Sequence, residues 1–205
     1  MNSTDDMACK ARASIYALLA NVFGSHPTPE SVGAVRQMAE TLEISCPNGW
    51  SLTDLDSEYM ELFVAPNPRY VAPYESVFRD SWLLPVASRN GSGPKATSVM
   101  IKGLVMGEST LEVRQCYLQV GVLPGNDLPD HIANELRFMS YLWASEAESS
   151  SLEAGVLAGF RAKFRDEHIL KWLGQLRERL AESDHLGHYL AALKVAEVVL
   201  EIDDR

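Results

Sequence analysis

The stretch "LPDHIANELRFMSYLW", residues 128–143, decides the fold class of this chain. Its large apolar residues Ile132, Leu136, Met139 and Trp143 are spaced at i, i+4, i+7 and i+11. This spacing puts them on one face of an α-helix and leaves polar side chains for the other face. The stretch therefore predicts a long amphipathic helix with its apolar face in the core.

Helical spacing continues on both sides of this stretch. Toward the C-terminus, "SSLE" at 150–153 predicts the start of a further helix. The inward positions of the predicted C-terminal helices are Leu157, Phe160, Phe164, Trp172, Leu176, Leu180, Tyr189, Leu193, Ala196 and Leu200. Toward the N-terminus, helices are predicted up to Gly24, over 28–44 and over 51–64, and "STLE" at 109–112 resembles a capping box.

The segment between these helices is less regular. Residues 80–93 are predicted to be irregular, and a helix is predicted from Pro94 to about Met106. No convincing alternation of period two appears. We therefore predict an all-α fold, a compact bundle of seven to nine helices. The bundle is predicted as one domain over 1–205, with a possible N-terminal lobe at 1–125 and C-terminal lobe at 128–205 joined by a hinge at 124–131.

Charge and cysteine usage narrow the function classes. The formal net charge of −10 argues against a nucleic-acid binder, because phosphate recognition needs clustered Lys and Arg. Cys9, Cys46 and Cys116 are odd in number and widely spaced, which is typical of reduced thiols in the cytoplasm. The apolar run "IYALLANVF" is too short to cross a bilayer. We expect a cytoplasmic protein without direct membrane insertion.

Three histidines are candidate ligands or structural groups. His131 and Glu135 lie four residues apart on the predicted helix, and Glu182 with His185 has the Glu-x-x-His spacing of di-iron bundles. Each pair supplies only two ligands, so a capped helix start and a polar turn are the favoured interpretations. His168 continues an apolar stripe and is predicted to be a partly buried, hydrogen-bonded structural histidine.

A second unusual stretch, "YMELFVAPNPRYVAPYESVF", covers residues 59–78. Three prolines and several aromatic residues follow one another after a predicted helix. Because proline fixes φ and lacks a backbone donor, the part that contains the prolines is predicted to be an extended or turning connection.

These two stretches together resemble the TorD/DmsD/NarJ family of redox-enzyme maturation chaperones. The stretch at 59–78 resembles the family's Tyr-x-x-Leu-Phe and Pro-Tyr-x-Ser-Val-aromatic pattern, and the stretch at 128–143 resembles its Pro-x-Asp-His hinge and Glu-Leu-x-Phe-Met helix. "FRDEHILKWLGQLRERL" and "HYLAALKVAEVVLE" are similar to the family's later segments, so the resemblance covers nearly the whole chain. This chain has Leu128 where many members have Glu before the hinge motif.

The resemblance implies a cytoplasmic chaperone that is not an enzyme and has no cofactor of its own. Such proteins bind the twin-arginine signal peptide, and often the catalytic subunit, of a molybdenum- or tungsten-dependent oxidoreductase. They hold the subunit back from export until its cofactor is inserted. Both a monomer and a dimer are compatible with the resemblance.

A receptor for such a leader needs an apolar groove beside carboxylates, because arginine pairs with carboxylates through charge-assisted hydrogen bonds. We predict that the two motifs supply both, with Asp130 facing the arginines and Glu75 or Glu135 as secondary candidates. His131 is predicted to fix the hinge or respond to the peptide. The predicted site residues are Phe63, Pro73, Tyr74, Glu75, Val77, Phe78, Trp82, Pro129, Asp130, His131 and Glu135. The alternatives are a helical metal-dependent oxidoreductase and a helical scaffold protein.

Overall fold

The computed structural model describes residues 3–87, 96–123 and 127–203, and α-helices dominate them. The all-α class is confirmed. Two π-helical turns, Met60–Val64 and Arg165–Ile169, extend α3 and join α7 to α8. The helices are α1 (Ser3–Gly24), α2 (Pro29–Thr41), α3 (Leu52–Tyr59), α4 (Glu75–Arg79), α5 (Glu108–Gln119), α6 (Ile132–Glu148), α7 (Ser151–Phe164), α8 (Leu170–Ser183) and α9 (His188–Ile202).

The core is built around α1 and α6, which pack along each other. Ile132, Leu136 and Met139 have no exposed surface, so the inward face predicted for α6 is confirmed. The two helices approach most closely at Gly24, where an added Cβ would lie 2.9 Å from the Ala133 Cβ. One hydrophobic cluster contains residues from before and after the predicted hinge at 124–131. The division into lobes stays a prediction, and residues 124–126 lie outside the described ranges.

The helix starts predicted at Thr28 and Ser150 follow the capping rules. Thr28 caps α2 with Pro29 at the first position, and Ser150 caps α7 in a capping box with Glu153. The capping box predicted at 109–112 is wrong, because α5 begins at Glu108. The Ser109 amide and hydroxyl donate instead to Asp80.

A β-hairpin replaces the helix predicted from Pro94 to Met106 and part of the irregular chain at 80–93. Strand β1 (Ser81–Ala87) pairs antiparallel with β2 (Ala96–Lys102), so that Trp82 lies opposite Ile101 and Leu84 opposite Val99. The loop "RNGSG" lies outside the described residues. Neighbouring side chains in β1, Trp82 (44% exposed) and Leu83 (64%), point to opposite faces, so neither face is buried. A hairpin without a buried face lacks the alternation that reveals a strand.

The C-terminal end of α9 is fixed by a buried carboxylate. Asp203 accepts hydrogen bonds from the Tyr16 hydroxyl at 2.5 Å and the Trp143 indole nitrogen at 3.0 Å, and it lies 3.3 Å from Arg12 Nε. The guanidinium of Arg161 covers the Trp143 ring at 3.4 Å. These contacts join α9 to α1, α6 and α7.

Within the described ranges, every helix is too short or too polar to cross a bilayer.

Candidate functional site

The two unusual sequence stretches meet in the structure through backbone hydrogen bonds. Tyr74 and His131 form an isolated antiparallel β-bridge. The Ile132 amide donates to the Pro73 carbonyl at 2.9 Å, and the Glu75 amide donates to the Asp130 carbonyl at 2.9 Å. Residues 73–75 and 130–132, more than fifty positions apart, thus lie side by side. We call these two paired segments the wall.

Asp130 lies inside this wall, and its side chain has no exposed surface. Its Oδ2 accepts a hydrogen bond from the Ser76 amide at 3.0 Å, at the start of α4. The preceding residue, Pro129, is also buried, and its carbonyl accepts the Tyr117 hydroxyl hydrogen bond at 2.8 Å. In this conformation Asp130 joins the two stretches and does not reach the surface.

His131 is the N-cap of α6. Its Nδ1 accepts a hydrogen bond from the Ala133 amide at 3.0 Å, which leaves the proton of the neutral ring on Nε2. Burial lowers the pKa of His131 to about 4, so the ring is neutral at physiological pH. The ring meets the Tyr74 ring edge to face, with 5.0 Å between centroids.

Glu75 and Glu135 form a buried pair of carboxyl groups, and neither has exposed surface. Glu75 pairs with Arg79 and lies 3.2 Å from His168 Nδ1. Glu135 accepts a hydrogen bond from the Trp172 indole at 3.2 Å. Burial and the neighbouring Glu75 raise the pKa of Glu135 well above its usual value. These surroundings therefore favour the protonated form of Glu135.

The predicted aromatic residues occupy different environments. Phe63 is 8% exposed and packs against the rings of Phe23 and Tyr189 in the core. Phe78 is partly buried and stacks on Trp172 with 5.5 Å between ring centroids.

The remaining predicted residues are also spread over different surroundings. Pro73 is buried, Val77 is partly exposed, and Trp82 lies on the exposed hairpin. The structure thus brings most of the predicted residues close to the wall, and it leaves few of them open to solvent.

Two adjoining cavities open beside the wall, each of about 430 Å³, and they share Asp127, Asn134 and Arg137. We call the two together the leader groove. Its polar cavity is lined by Gly24, Tyr59, Tyr74, Asp127, Leu128, His131, Ala133, Asn134 and Arg137. Its apolar cavity is lined by Tyr117, Val122, Leu123, Asp127, Pro129, Asn134, Arg137, Phe138 and Tyr141. The leader groove therefore offers ring faces at one end, an apolar surface at the other, and the exposed Asp127 carboxylate where the two cavities meet.

Asp127 and Arg137 are the charged groove residues that sequence reasoning missed. Asp127 is exposed and stands three positions before Asp130, whereas Arg137 is exposed and donates to the Asn134 side chain at 2.7 Å. The available signal was weak. Asp127 lies just before the "LPDH" motif, and Arg137 lies on the polar face of the helix that the motif opens.

The two candidate ligand pairs, His131 with Glu135 and Glu182 with His185, gain no third metal ligand among the described residues. The described part of the chain contains no group of three or more His, Cys, Asp or Glu side chains placed to hold a metal ion. Glu182, in the last turn of α8, and His185, just after that helix, are both exposed. His168 is 5% exposed and hydrogen-bonded to Glu75, as predicted for a structural histidine.

Comparison with known proteins gives consistent similarities. Residues 26–178 match the family model described as nitrate reductase delta subunit. The chain is 26% identical over 155 residues to "Chaperone protein TorD" of Vibrio cholerae serotype O1, covering 73% of this chain and 60% of that protein. It is 24% identical over 202 residues to "Perchlorate reductase assembly chaperone protein" of Dechloromonas aromatica, covering 91% of this chain and 85% of that protein. The chain thus spans about three fifths of the length of the TorD relatives that it matches.

Proposed function

Because the chain belongs to the nitrate reductase delta subunit family of NarJ/TorD-type chaperones, we propose that it is an assembly chaperone for a molybdenum- or tungsten-dependent reductase. It binds the twin-arginine signal peptide of the catalytic subunit in the cytoplasm. It keeps that subunit from export until the cofactor is inserted. The names of the relatives, a TorD chaperone and a perchlorate reductase assembly chaperone, support this class of function.

The observation that carries the peptide-binding part is the composition of the leader groove. A twin-arginine leader joins two guanidinium groups to an apolar segment. The polar cavity offers the Asp127 carboxylate and the Tyr59 and Tyr74 rings, which suit guanidinium groups through ion pairing and cation–π contact. The apolar cavity, with Leu123 and Phe138, suits the segment that follows.

The residues that line only one cavity set the direction of the peptide in this proposal. Asp127 and Arg137 line both cavities, whereas Tyr59 and Tyr74 line only the polar one and Phe138 only the apolar one. The arginine pair therefore lies toward the tyrosine rings. The apolar segment then runs past Phe138 toward Tyr141.

The buried carboxylates take a different role in this arrangement. Asp130, Glu75 and Glu135 have no exposed surface, so a leader bound to the present conformation meets Asp127 first. Asp130 positions the wall by holding the start of α4. Direct contact of these three carboxylates with the arginines stays a prediction that requires the hinge to open.

The remaining predicted residues support the proposed groove. Tyr74 and His131 line the polar cavity, and Pro129 lines the apolar cavity. The other predicted residues are proposed to hold the wall or to contact the body of the client. They are Phe63, Pro73, Val77, Phe78 and Trp82.

Fluorescence anisotropy with labelled leader peptides tests the proposal. A panel of twin-arginine leaders is titrated with the chaperone, each beside a matched Lys-Lys leader. We expect at least one leader to bind, with the Lys-Lys version weaker, because lysine cannot form the bidentate pair. Absence of binding to every leader in the panel would contradict the peptide-binding part of the proposal.

Charge variants of the leader groove locate the binding site. Asp127→Lys is expected to weaken leader binding about tenfold, since it replaces an attraction with a repulsion at a solvent-exposed position. Arg137→Gln is expected to strengthen binding by about threefold, because it removes a competing cation. Glu148→Lys, at an exposed position on the same helix α6, is the control for net charge. Equal losses for Asp127→Lys and Glu148→Lys would move the site away from the groove.

A further inference from the structure

A cysteine, a histidine and a glutamate lie in line outside the leader groove. Cys116 Sγ on α5 is 3.6 Å from Nε2 of His168, and Nδ1 of the same ring is 3.2 Å from both carboxylate oxygens of Glu75. His168 belongs to the π-helical turn Arg165–Ile169, a type of irregularity that is common at functional sites. The order nucleophile, imidazole and orienting carboxylate is the arrangement that activates thiols.

The surroundings favour a positive charge on His168. Burial alone disfavours the charged ring, but hydrogen bonds with Cys116 and Glu75 outweigh it and raise the pKa of His168 to about 9. Glu75 is in turn held by Arg79. A thiol beside a protonated imidazole is favoured in its thiolate form, which is the reactive species.

The thiol opens onto a cavity of about 460 Å³ on the surface of the protein. Arg79 and Lys171 bring positive charge to its lining, and Glu112 and Glu167 bring negative charge. A cavity of this size holds a small peptide-like molecule. The mixed charges suit a molecule that carries both ammonium and carboxylate groups.

The two other cysteines have environments of the opposite kind. Burial raises the pKa of Cys9 and of Cys46. Cys9 is buried in the core, and Cys46 is partly buried. The chain therefore contains two ordinary thiols against which the reactivity of Cys116 can be measured.

We propose that Cys116 is a reactive thiol that forms mixed disulfides with small zwitterionic disulfides, of the class made from cysteine-containing peptides. The Cys116 thiolate attacks one sulfur of the disulfide, forms a new S–S bond and releases the other half as a thiolate. The protonated His168 gives its proton to that leaving thiolate. One S–S bond breaks as another forms, and one half of the incoming disulfide leaves as a thiol, so no other oxidant is needed.

The first experiment measures which cysteine reacts. The fully reduced, folded protein is incubated with glutathione disulfide at about pH 7, quenched at intervals and mapped by peptide mass spectrometry. An ordinary thiol is only about 3% thiolate at this pH, and the lower nucleophilicity of a stabilised thiolate removes part of the gain. We therefore expect Cys116 to react about tenfold faster than Cys9 and Cys46. Equal or faster reaction at Cys46 would overturn the proposal.

Two variants separate activation of the thiol from binding in the cavity. His168→Gln is expected to slow the reaction of Cys116 about tenfold at pH 7, because it removes the imidazole beside the thiol. Lys171→Glu, at an exposed position, is expected to slow the reaction with glutathione disulfide by several fold. Its reaction with the uncharged bis(2-hydroxyethyl) disulfide should not change.

The variants also provide the refuting outcomes. An unchanged rate in a folded His168→Gln protein would remove the imidazole from the reaction. If His168→Gln does not fold, iodoacetamide labelling of the wild type at pH 7 decides. Cys116 should be labelled several times faster than Cys46, and equal or slower labelling would contradict an activated thiol.

Discussion

Replacing Glu135 by glutamine tests the assignment of a neutral carboxylic acid to the centre of the molecule. Glu135 has no exposed surface, accepts a hydrogen bond from the Trp172 indole and lies beside the Glu75 carboxylate. Glutamine has nearly the same shape as the protonated acid. Its carbonyl can accept from the indole, and its amide can donate to Glu75.

The magnitude follows from proton linkage. The pKa of Glu135 is raised in the folded state from an ordinary value of 4.5. The stability that the protonated group provides is therefore fully present below about pH 4.5 and is lost as the pH rises through the folded-state pKa. Within that window wild-type stability falls by about 1.4 kcal/mol per pH unit relative to a side chain that does not titrate.

Urea unfolding at pH 5, 6, 7 and 8 measures this difference. The free energy of unfolding of Glu135→Gln, minus that of the wild type, is expected to rise by about 1.4 kcal/mol per pH unit until the folded-state pKa is reached. Glu148→Gln, on the exposed side of α6, is the control and should show no such rise. A difference that stays constant from pH 5 to pH 8 would refute the neutral acid.

The same variant separates an internal role from a peptide contact. An internal neutral acid predicts that Glu135→Gln binds a twin-arginine leader as tightly as the wild type at pH 7. A loss of more than tenfold in affinity, in a protein of unchanged stability, would instead show that Glu135 faces the arginines.

Three further predictions concern the supports of the fold. Asp203→Ala is expected to lower the free energy of urea unfolding by about 3 kcal/mol, because it leaves the Tyr16 phenol, the Trp143 indole and the Arg12 guanidinium without their buried acceptor. A loss below about 1 kcal/mol would contradict this. Gly107→Ala is expected to cost about 1–3 kcal/mol in thermal unfolding, since its Cβ would lie 1.9 Å from Asp80 Oδ2, and an unchanged melting temperature would show that this contact relaxes freely. Arg69→Ala leaves the buried Glu58 without its ion pair and is expected to cost about 2 kcal/mol in urea unfolding at pH 7. An unchanged free energy of unfolding would show that this ion pair adds no net stability.

Much of the helical architecture could be predicted because its signals are local. The residues that repeat along α6, α8 and α9 are buried, and Thr28 and Ser150 cap the helices that they were predicted to start. The hairpin could not be predicted, since both of its faces are exposed and its apolar residues do not alternate with polar ones. The predicted capping box at Ser109 failed because a distant side chain, Asp80, took its donors.

The sequence by itself determined the helical class, the two motif stretches and the family resemblance that they carry, because periodicity and motif spacing are properties of neighbouring residues. The tertiary structure alone decided which groups surround the motif carboxylates. The partners of Asp130 and Glu135, the Ser76 amide and the Trp172 indole, lie far away in the chain, and the contact with arginines predicted for these carboxylates stays a prediction. Burial and charge state depend on such distant contacts, and for the same reason only the fold could bring Cys116, His168 and Glu75 into line.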